Sequence, residues 1–315
     1  MIHPELRLIG NLIKPFLRYH SRAAFERSAR MQTRWMTGKF PKGMQVEQKL
    51  IPRQDGGFLR LLICHPTLKT GRAAGVLWLH GGGYAIGLPE QDLPYAQKMM
   101  DAADALIVLP DYRTSLQAPY PAALNDAYDA LLWLKDNAPA LGANPHQLFV
   151  GGESAGGGLA AALSAYARDR GEVQVAFQMP FYPMLDDRML TPSSRDNHAP
   201  VWDSRSNAAA WQLYLGELYG TDAVPAYAAP ARLTDFSGLP PTYTFVGDAE
   251  PFYDETVQYV AALQSAGGTA RLDVYPGCFH AFDLVGARTQ IGKTATQTWI
   301  GQFQHACAHY FAAQK

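Results

Sequence analysis

The chain has 315 residues, 48% of them hydrophobic and 17% charged, with a formal net charge of −1. Those values describe one folded unit with a large core, long for a single domain but within the range of an α/β protein carrying insertions. A charge balance this close to zero, with no basic cluster evident, argues against a nucleic-acid partner. Cys64, Cys278 and Cys307, an odd number without metal-like spacing, predict free thiols and a reducing, cytoplasmic setting.

The first 43 residues open with Leu6, Ile9, Ile13, Phe16 and Leu17 at helical spacing, interrupted by Arg7, Lys14 and Arg18. That pattern predicts an amphipathic helix that lies on a surface, the body of the protein ahead of a membrane, without a secretory signal or a stable membrane anchor. From about residue 44 the pattern changes. Val46 to Ile51 and Phe58 to Cys64 predict a hairpin, turned at Asp55-Gly56-Gly57. Strands over 75–80, 105–110, 147–151, 173–179, 242–247 and 270–275 then alternate with helices near 90–102, over 121–138, from 154, and over 253–266 and 289–313. Such alternation means a mostly parallel sheet covered by helices on both faces. Two stretches break the rhythm, 1–43 and 184–238, the second rich in aromatic residues (Trp202, Trp211, Tyr214, Tyr219, Tyr227). Both are expected to meet over the C-terminal edge of the sheet as a cap, leaving 44–183 and 239–315 as the sheet domain.

Two motifs carry chemistry. Gly152-Glu153-Ser154-Ala155-Gly156 lies between a buried strand and a helix-forming run, the setting of a nucleophile elbow, in which a strained turn lifts the serine hydroxyl above the sheet. His80-Gly81-Gly82-Gly83-Tyr84 ends the strand before it. Consecutive glycines leave backbone N–H groups unobstructed, so the amides of Gly82 and Gly83, with that of Ala155, are the expected donors of an oxyanion hole. A phosphate loop is disfavoured because no Gly-Lys-Ser/Thr follows. Together the motifs predict hydrolase chemistry at a small-molecule substrate.

These segments resemble the hormone-sensitive-lipase branch of the α/β-hydrolases, bacterial carboxylesterases. The resemblance rests on the two motifs, on Asp111-Tyr112-Arg113 with Pro119-Tyr120-Pro121, on Tyr182-Pro183-Met184-Leu185-Asp186-Asp187-Arg188, on Trp202 with Ser206-Asn207, and on Tyr275-Pro276-Gly277 leading into Phe279-His280. It implies an α/β-hydrolase fold with an eight-stranded sheet, a helical cap built partly from the N-terminus, no cofactor or metal, and a possible homodimer through the edge strand near Arg271 to Tyr275. Two departures stand out: Thr114-Ser115-Leu116-Gln117 replaces the usual Leu-Ala-Pro-Glu, and Ala281 replaces a common glycine after the histidine.

A serine needs a base to take its proton and an acid to orient that base, in the chain order Ser, Asp or Glu, His. His280, in the loop beyond the strand ending at Tyr275, lies at the same sheet edge as the elbow. His198 falls in the cap, and His305 and His309, one turn apart on the last helix, suit a solvated face better than a metal site. Both Asp248 and Glu250 follow the strand 242–247. The resemblance selects Glu250, which matches the family's acid in register, leaving Asp248 as the rival or, with Asp254, as a cap of the next helix. Glu153 is expected to bond loop backbone near the site. Asp111 and Arg113 are expected to pair with each other, and Trp78 and Trp133 to pack in the core. The expected activity is hydrolysis of short to medium acyl esters by Ser154, His280 and Glu250. Lactones or amides are alternative substrates, and an inactive receptor on the same scaffold is a further alternative.

Overall fold

The computed structural model describes residues 2–66 and 72–314. Eight strands form one sheet: β1 (Val46–Pro52), β2 (Phe58–Cys64), β3 (Ala73–Leu79), β4 (Leu106–Pro110), β5 (Ala143–Glu153), β6 (Phe177–Phe181), β7 (Thr242–Gly247) and β8 (Ala270–Tyr275). Their spatial order is β1-β2-β4-β3-β5-β6-β7-β8. The hairpin β1–β2 is antiparallel, as is the β2–β4 pair, and the other five pairs are parallel. Gly56 and Gly57, at φ 95° and 75°, supply the left-handed backbone that turns the hairpin.

Every residue of β3 is buried, because helices cover both of its faces. Val76 and Trp78 belong to one core and Leu77 and Leu79 to the other, the two-residue alternation of a strand packed on both sides. One face is covered by α4 (Ala122–Asn137) and α5 (Ala155–Arg170), the other by α3 (Leu93–Ala103) and α10 (Gln290–His309). Helix α8 (Tyr253–Ser265) joins β7 to β8. The predicted strand 173–179 is found at 177–181, since its ladder with β5 begins only where Phe177 meets Phe149.

The two irregular stretches are helical. The N-terminal one forms α1 (Pro4–Ile13) and α2 (Arg22–Met36), the latter capped by the Ser21 hydroxyl. The second holds a single turn, α6 (Pro192–Arg195), and α7 (Ser204–Leu215), capped by Asp203. A last short helix, α9 (Phe282–Val285), precedes α10. The inner face of α1 buries Leu6 and Gly10, with Phe279 and Pro200 packed so closely on Gly10 that a Cβ there would meet both. Tyr19 and Phe25 stack on each other at 5.1 Å and meet Trp202 of the second segment in tilted contacts at centroid distances of 5.8 and 6.2 Å. The edge strand β8 is half-exposed along most of its length.

Candidate active site

Between β3 and β5 the chain reverses its direction of travel across the sheet, because β4 lies on one side of β3 and β5 on the other. Leu79, the last residue of β3, is in register with Gly152 of β5. The polyglycine loop and the elbow therefore leave neighbouring strand ends, at the position where open α/β sheets bind ligands. Strands β7 and β8 end in register at Gly247 and Tyr275, and Glu250 and His280 follow them.

The elbow is strained as expected. Ser154 has φ 60° and ψ −121°, a conformation rare for a residue with a side chain. Its amide donates to the Phe181 carbonyl at 2.9 Å, and its carbonyl accepts from Gly158 and Met184. A Cβ on Gly156 would fall on the carbonyls of Leu79 and His80, and one on Gly152 on those of Leu79 and Gly156. Glycine at both positions is what lets α5 start against the ends of β3 and β5.

The Ser154 hydroxyl lies 2.8 Å from His280 Nε2, and His280 Nδ1 lies 2.5 Å from Glu250 Oε2. Glu250 also accepts from the Gly247 amide at 3.2 Å. All three side chains are buried. Burial raises the Glu250 carboxyl above its ordinary value, while the His280 ring beside it pulls the other way. Phe252 and Tyr182 hold that ring edge to face, at 5.0 and 4.9 Å between centroids.

Asp248 is elsewhere. It is exposed and accepts from the Gly277 amide at 2.6 Å, so it braces the turn that carries His280 instead of touching the ring. Neither it nor Asp254 caps α8, whose first residue follows Phe252 without a side-chain cap. Asp254 sits in the first turn and accepts from Ser193 of the cap.

Among the described residues, the amides of Gly82, Gly83 and Ala155 make no hydrogen bond within the chain. Gly82 (φ 119°) and Gly83 (φ 62°) both use left-handed backbone, and a Cβ on Gly83 would strike the Trp202 ring. The loop is tied down on either side of these amides. Gly81 donates to Glu153 Oε1 at 2.6 Å, Tyr112 donates its hydroxyl to the His80 carbonyl at 2.5 Å, and the Tyr84 hydroxyl reaches the Met184 carbonyl.

Glu153 thus bonds loop backbone, as the sequence suggested, and it does so from a fully buried position that pushes its carboxyl up to about 7. Gln91 reaches both Glu153 and the Gly81 carbonyl at 3.3 Å. Burial likewise raises Asp92, bonded to the Trp78 indole, and Asp283, bonded to the Tyr95 hydroxyl. Sequence reading missed Gln91 and Asp283. Asp283 lies only three residues after His280, a proximity that was available as a signal.

Two other expectations change, and the solvated face expected for His305 and His309 does not. Asp111 and Arg113 do not pair: Asp111 accepts from Arg60 at 2.9 Å, while Arg113 grips buried Asp126 at 2.7 Å and also reaches Asp55. Both residues lie beyond the end of β4 at Pro110, where the two-residue alternation that would put them on one face no longer holds, so each finds a partner in another element. Trp78 is fully buried, but Trp133 is only half-buried and lies under the Lys49 ammonium. His305 and His309 are exposed and stack on each other at 4.1 Å.

Both departures from the family pattern shape the surroundings of the site. Gln117 accepts the Thr114 amide, closing that loop on itself, and Ser115 donates its amide to the Tyr84 carbonyl. With Ala29 and Thr33 of α2 and Thr37 just after it, this loop lines a cavity of about 330 Å³ beside Ile86 and Gly87. Ala281 takes φ 56° and ψ 32°, left-handed backbone at the position where the family resemblance implies glycine.

A family model described as the alpha/beta hydrolase fold matches residues 76–284, which include the loop, the elbow, Glu250 and His280. The chain belongs to the α/β-hydrolase family, in its hormone-sensitive-lipase-like branch. Among curated relatives, carboxylesterase NlhH of Mycobacterium tuberculosis is 33% identical over 210 residues, 66% of each chain. Esterase LipI of the same organism is 35% identical over 193 residues, 61% of this chain and 60% of that one. The matched region thus spans a little under two thirds of these relatives. Among solved structures, a bacterial heroin esterase superposes with a TM-score of 0.87 at 31% identity, covering 97% of this α/β hydrolase and 98% of the other chain. Among the described residues, no helix is long and apolar enough to cross a membrane.

Proposed function

We propose that this α/β hydrolase is a serine carboxylesterase working through an acyl-enzyme. Ser154 Oγ attacks the ester carbonyl carbon while His280 Nε2 takes its proton, and Glu250 holds the ring by Nδ1 and offsets the charge that develops there. The carbonyl oxygen, now negative, accepts from the amides of Gly82, Gly83 and Ala155. His280 returns the proton to the departing alcohol, then takes one from water, which attacks the acyl carbon; as the acid leaves, His280 passes that proton to Ser154 Oγ and restores the free hydroxyl. The observation that carries this reading is the continuous chain Ser154 Oγ, His280, Glu250 at 2.8 and 2.5 Å beside three amides without an internal partner. The esterase names of the relatives support the same reaction class.

Short to medium acyl chains fit the cap. Trp202 stands against Gly83, and Tyr84, Trp211 and Tyr214 form a buried cluster next to the loop, with Tyr84 and Tyr214 stacked at 3.9 Å. An organophosphate should label Ser154 stoichiometrically, as shown by peptide mass, and a panel of p-nitrophenyl esters from two to twelve carbons should peak at the short end. Labelling without ester turnover would support the receptor alternative. A panel on which lactones or anilides outrun every ester would replace carboxylesterase with those activities.

A further inference from the structure

The net charge near zero conceals a segregation. Residues 1–43 hold nine of the 27 Lys and Arg but only two of the 28 Asp and Glu, so a segment near +7 sits on a remainder near −8. The basic cluster overlooked in the averaged charge is the N-terminal half of the cap. Most of its cations are exposed: Arg7, Arg18, Arg22, Arg27, Arg30, Arg34, Lys39 and Lys42. Among the described residues Arg22 meets a carboxylate, Glu26, and Arg7, Arg18, Arg27, Arg30 and Arg34 meet none.

The same segment exposes apolar side chains that packing does not explain. The inner face of α1 is used up against the body through Leu6 and Gly10, yet its outer face carries Leu8 and Leu12 one turn apart, 74% and 63% exposed, followed by Phe16 at 83%. On α2, Met31 and Trp35 repeat the pattern at 58% and 61%, flanked by Arg27, Arg30 and Arg34. Arg34 and Lys39 both lie near the Trp35 ring, at 5.7 and 5.2 Å. A helix that is apolar on two faces normally has both covered.

We propose that this outer face of the N-terminal cap is a reversible docking surface for anionic lipid, with Leu8, Leu12, Phe16, Met31 and Trp35 entering the headgroup and acyl boundary and the surrounding arginines meeting lipid phosphates. Both components are needed: interfacial helices bind by apolar burial together with attraction of Lys and Arg to anionic headgroups. Nucleic acid would engage the cations but leave Leu8 and Leu12 of α1 and Phe16 just after it in water. A second copy docked through the same patch would bring two strongly positive segments together. The acidic remainder of the chain is repelled by an anionic surface, which orients the molecule cap first. Tyr19 and Phe25 pass from this segment to Trp202, and Trp202 lies against Gly83, so the docked face is the one nearest the oxyanion loop.

The test uses the full chain and does not depend on the esterase reading, because its primary signal is binding. Sedimentation with vesicles of equal phosphatidylcholine and phosphatidylglycerol is expected to capture the protein at low salt, with at least tenfold weaker binding to pure phosphatidylcholine and a steep loss at 0.5 M salt. Two surface variants, Leu12→Ser with Phe16→Ser, and Arg27→Glu with Arg30→Glu and Arg34→Glu, are each expected to lose tenfold or more in vesicle binding. Their unfolding temperature and their turnover of a water-soluble short ester should stay within twofold or a few degrees of the parent. No capture by the anionic vesicles, or capture unchanged in both variants, overturns the proposal. So does a dimer that Phe16→Ser dissolves, or tighter binding to a DNA duplex than to the vesicles.

Discussion

The sheet edge and the N-terminal cap obey opposite rules. At the edge, strand ends, a helix start and two loops approach so closely that single methyl groups would not fit, and the side chains of Ser154, His280, Glu250 and Glu153 are bonded within the chain beside three amides that are not. On the cap, α1 and α2 bury one stripe each and leave charge and apolar side chains in water. The first region specifies distances and tolerates almost no substitution. The second specifies only a surface chemistry and tolerates many.

Substitutions should separate the two regions by orders of magnitude. Ser154→Ala should lower kcat by about a million-fold with the fold intact, since nucleophile and base act as one unit; a loss under tenfold, measured with a soluble ester, ends the serine mechanism. Glu250→Ala should cost about ten-thousandfold and Asp248→Ala less than tenfold. The reverse ranking would move the acid to the rival position. Gly81→Ala drives a methyl into the Glu153 carboxylate and should reduce kcat about a hundredfold with a small change in KM, the signature of a displaced oxyanion donor. An unchanged kcat would show that the loop adapts.

Glu153→Gln keeps an acceptor for the Gly81 amide but removes a carboxyl that burial pushes up to about 7. Between the ordinary carboxylate value and about 7 the unfolded chain ionises this group and the folded chain does not, so the parent loses stability as pH rises through that window. Denaturant unfolding should therefore favour the Gln variant increasingly from pH 5 to pH 8, and a pH-independent difference would contradict the assignment. Smallest of all, Phe16→Ser on the cap should shift stability by no more than about 0.5 kcal/mol, and a larger shift would mean that Phe16 packs on the body.

Much of this contrast was legible before any coordinates. The strand and helix alternation, the elbow, the polyglycine loop and His280 were written in short contiguous patterns, and contiguous patterns are what periodicity and motif reading detect. Glu250, the proposed acid, was legible only through family register, because Asp248 and Glu250 are two residues apart and only folding exposes one and buries the other. The partners of Asp111 and Arg113 were not legible: Arg60 and Asp126 arrive from β2 and α4, and nothing local forecasts them. Glu153 meets Gly81 across 72 residues of chain, a contact that depends on β3 and β5 being neighbours. The cap's positive charge was in plain view but was averaged away over the whole length.

The ladder contact between Leu79 and Gly152 has an evolutionary corollary. Ser154 and the amides of Gly82 and Gly83, the proposed nucleophile and oxyanion donors, hang from adjacent rungs of one lattice, so their spacing is set mainly by the sheet beneath them. The helical stretch from Pro192 to Leu215 could be exchanged for another lid, and the range of accepted molecules redrawn, while the Met184 bonds to Ser154 and Tyr84 stay in place.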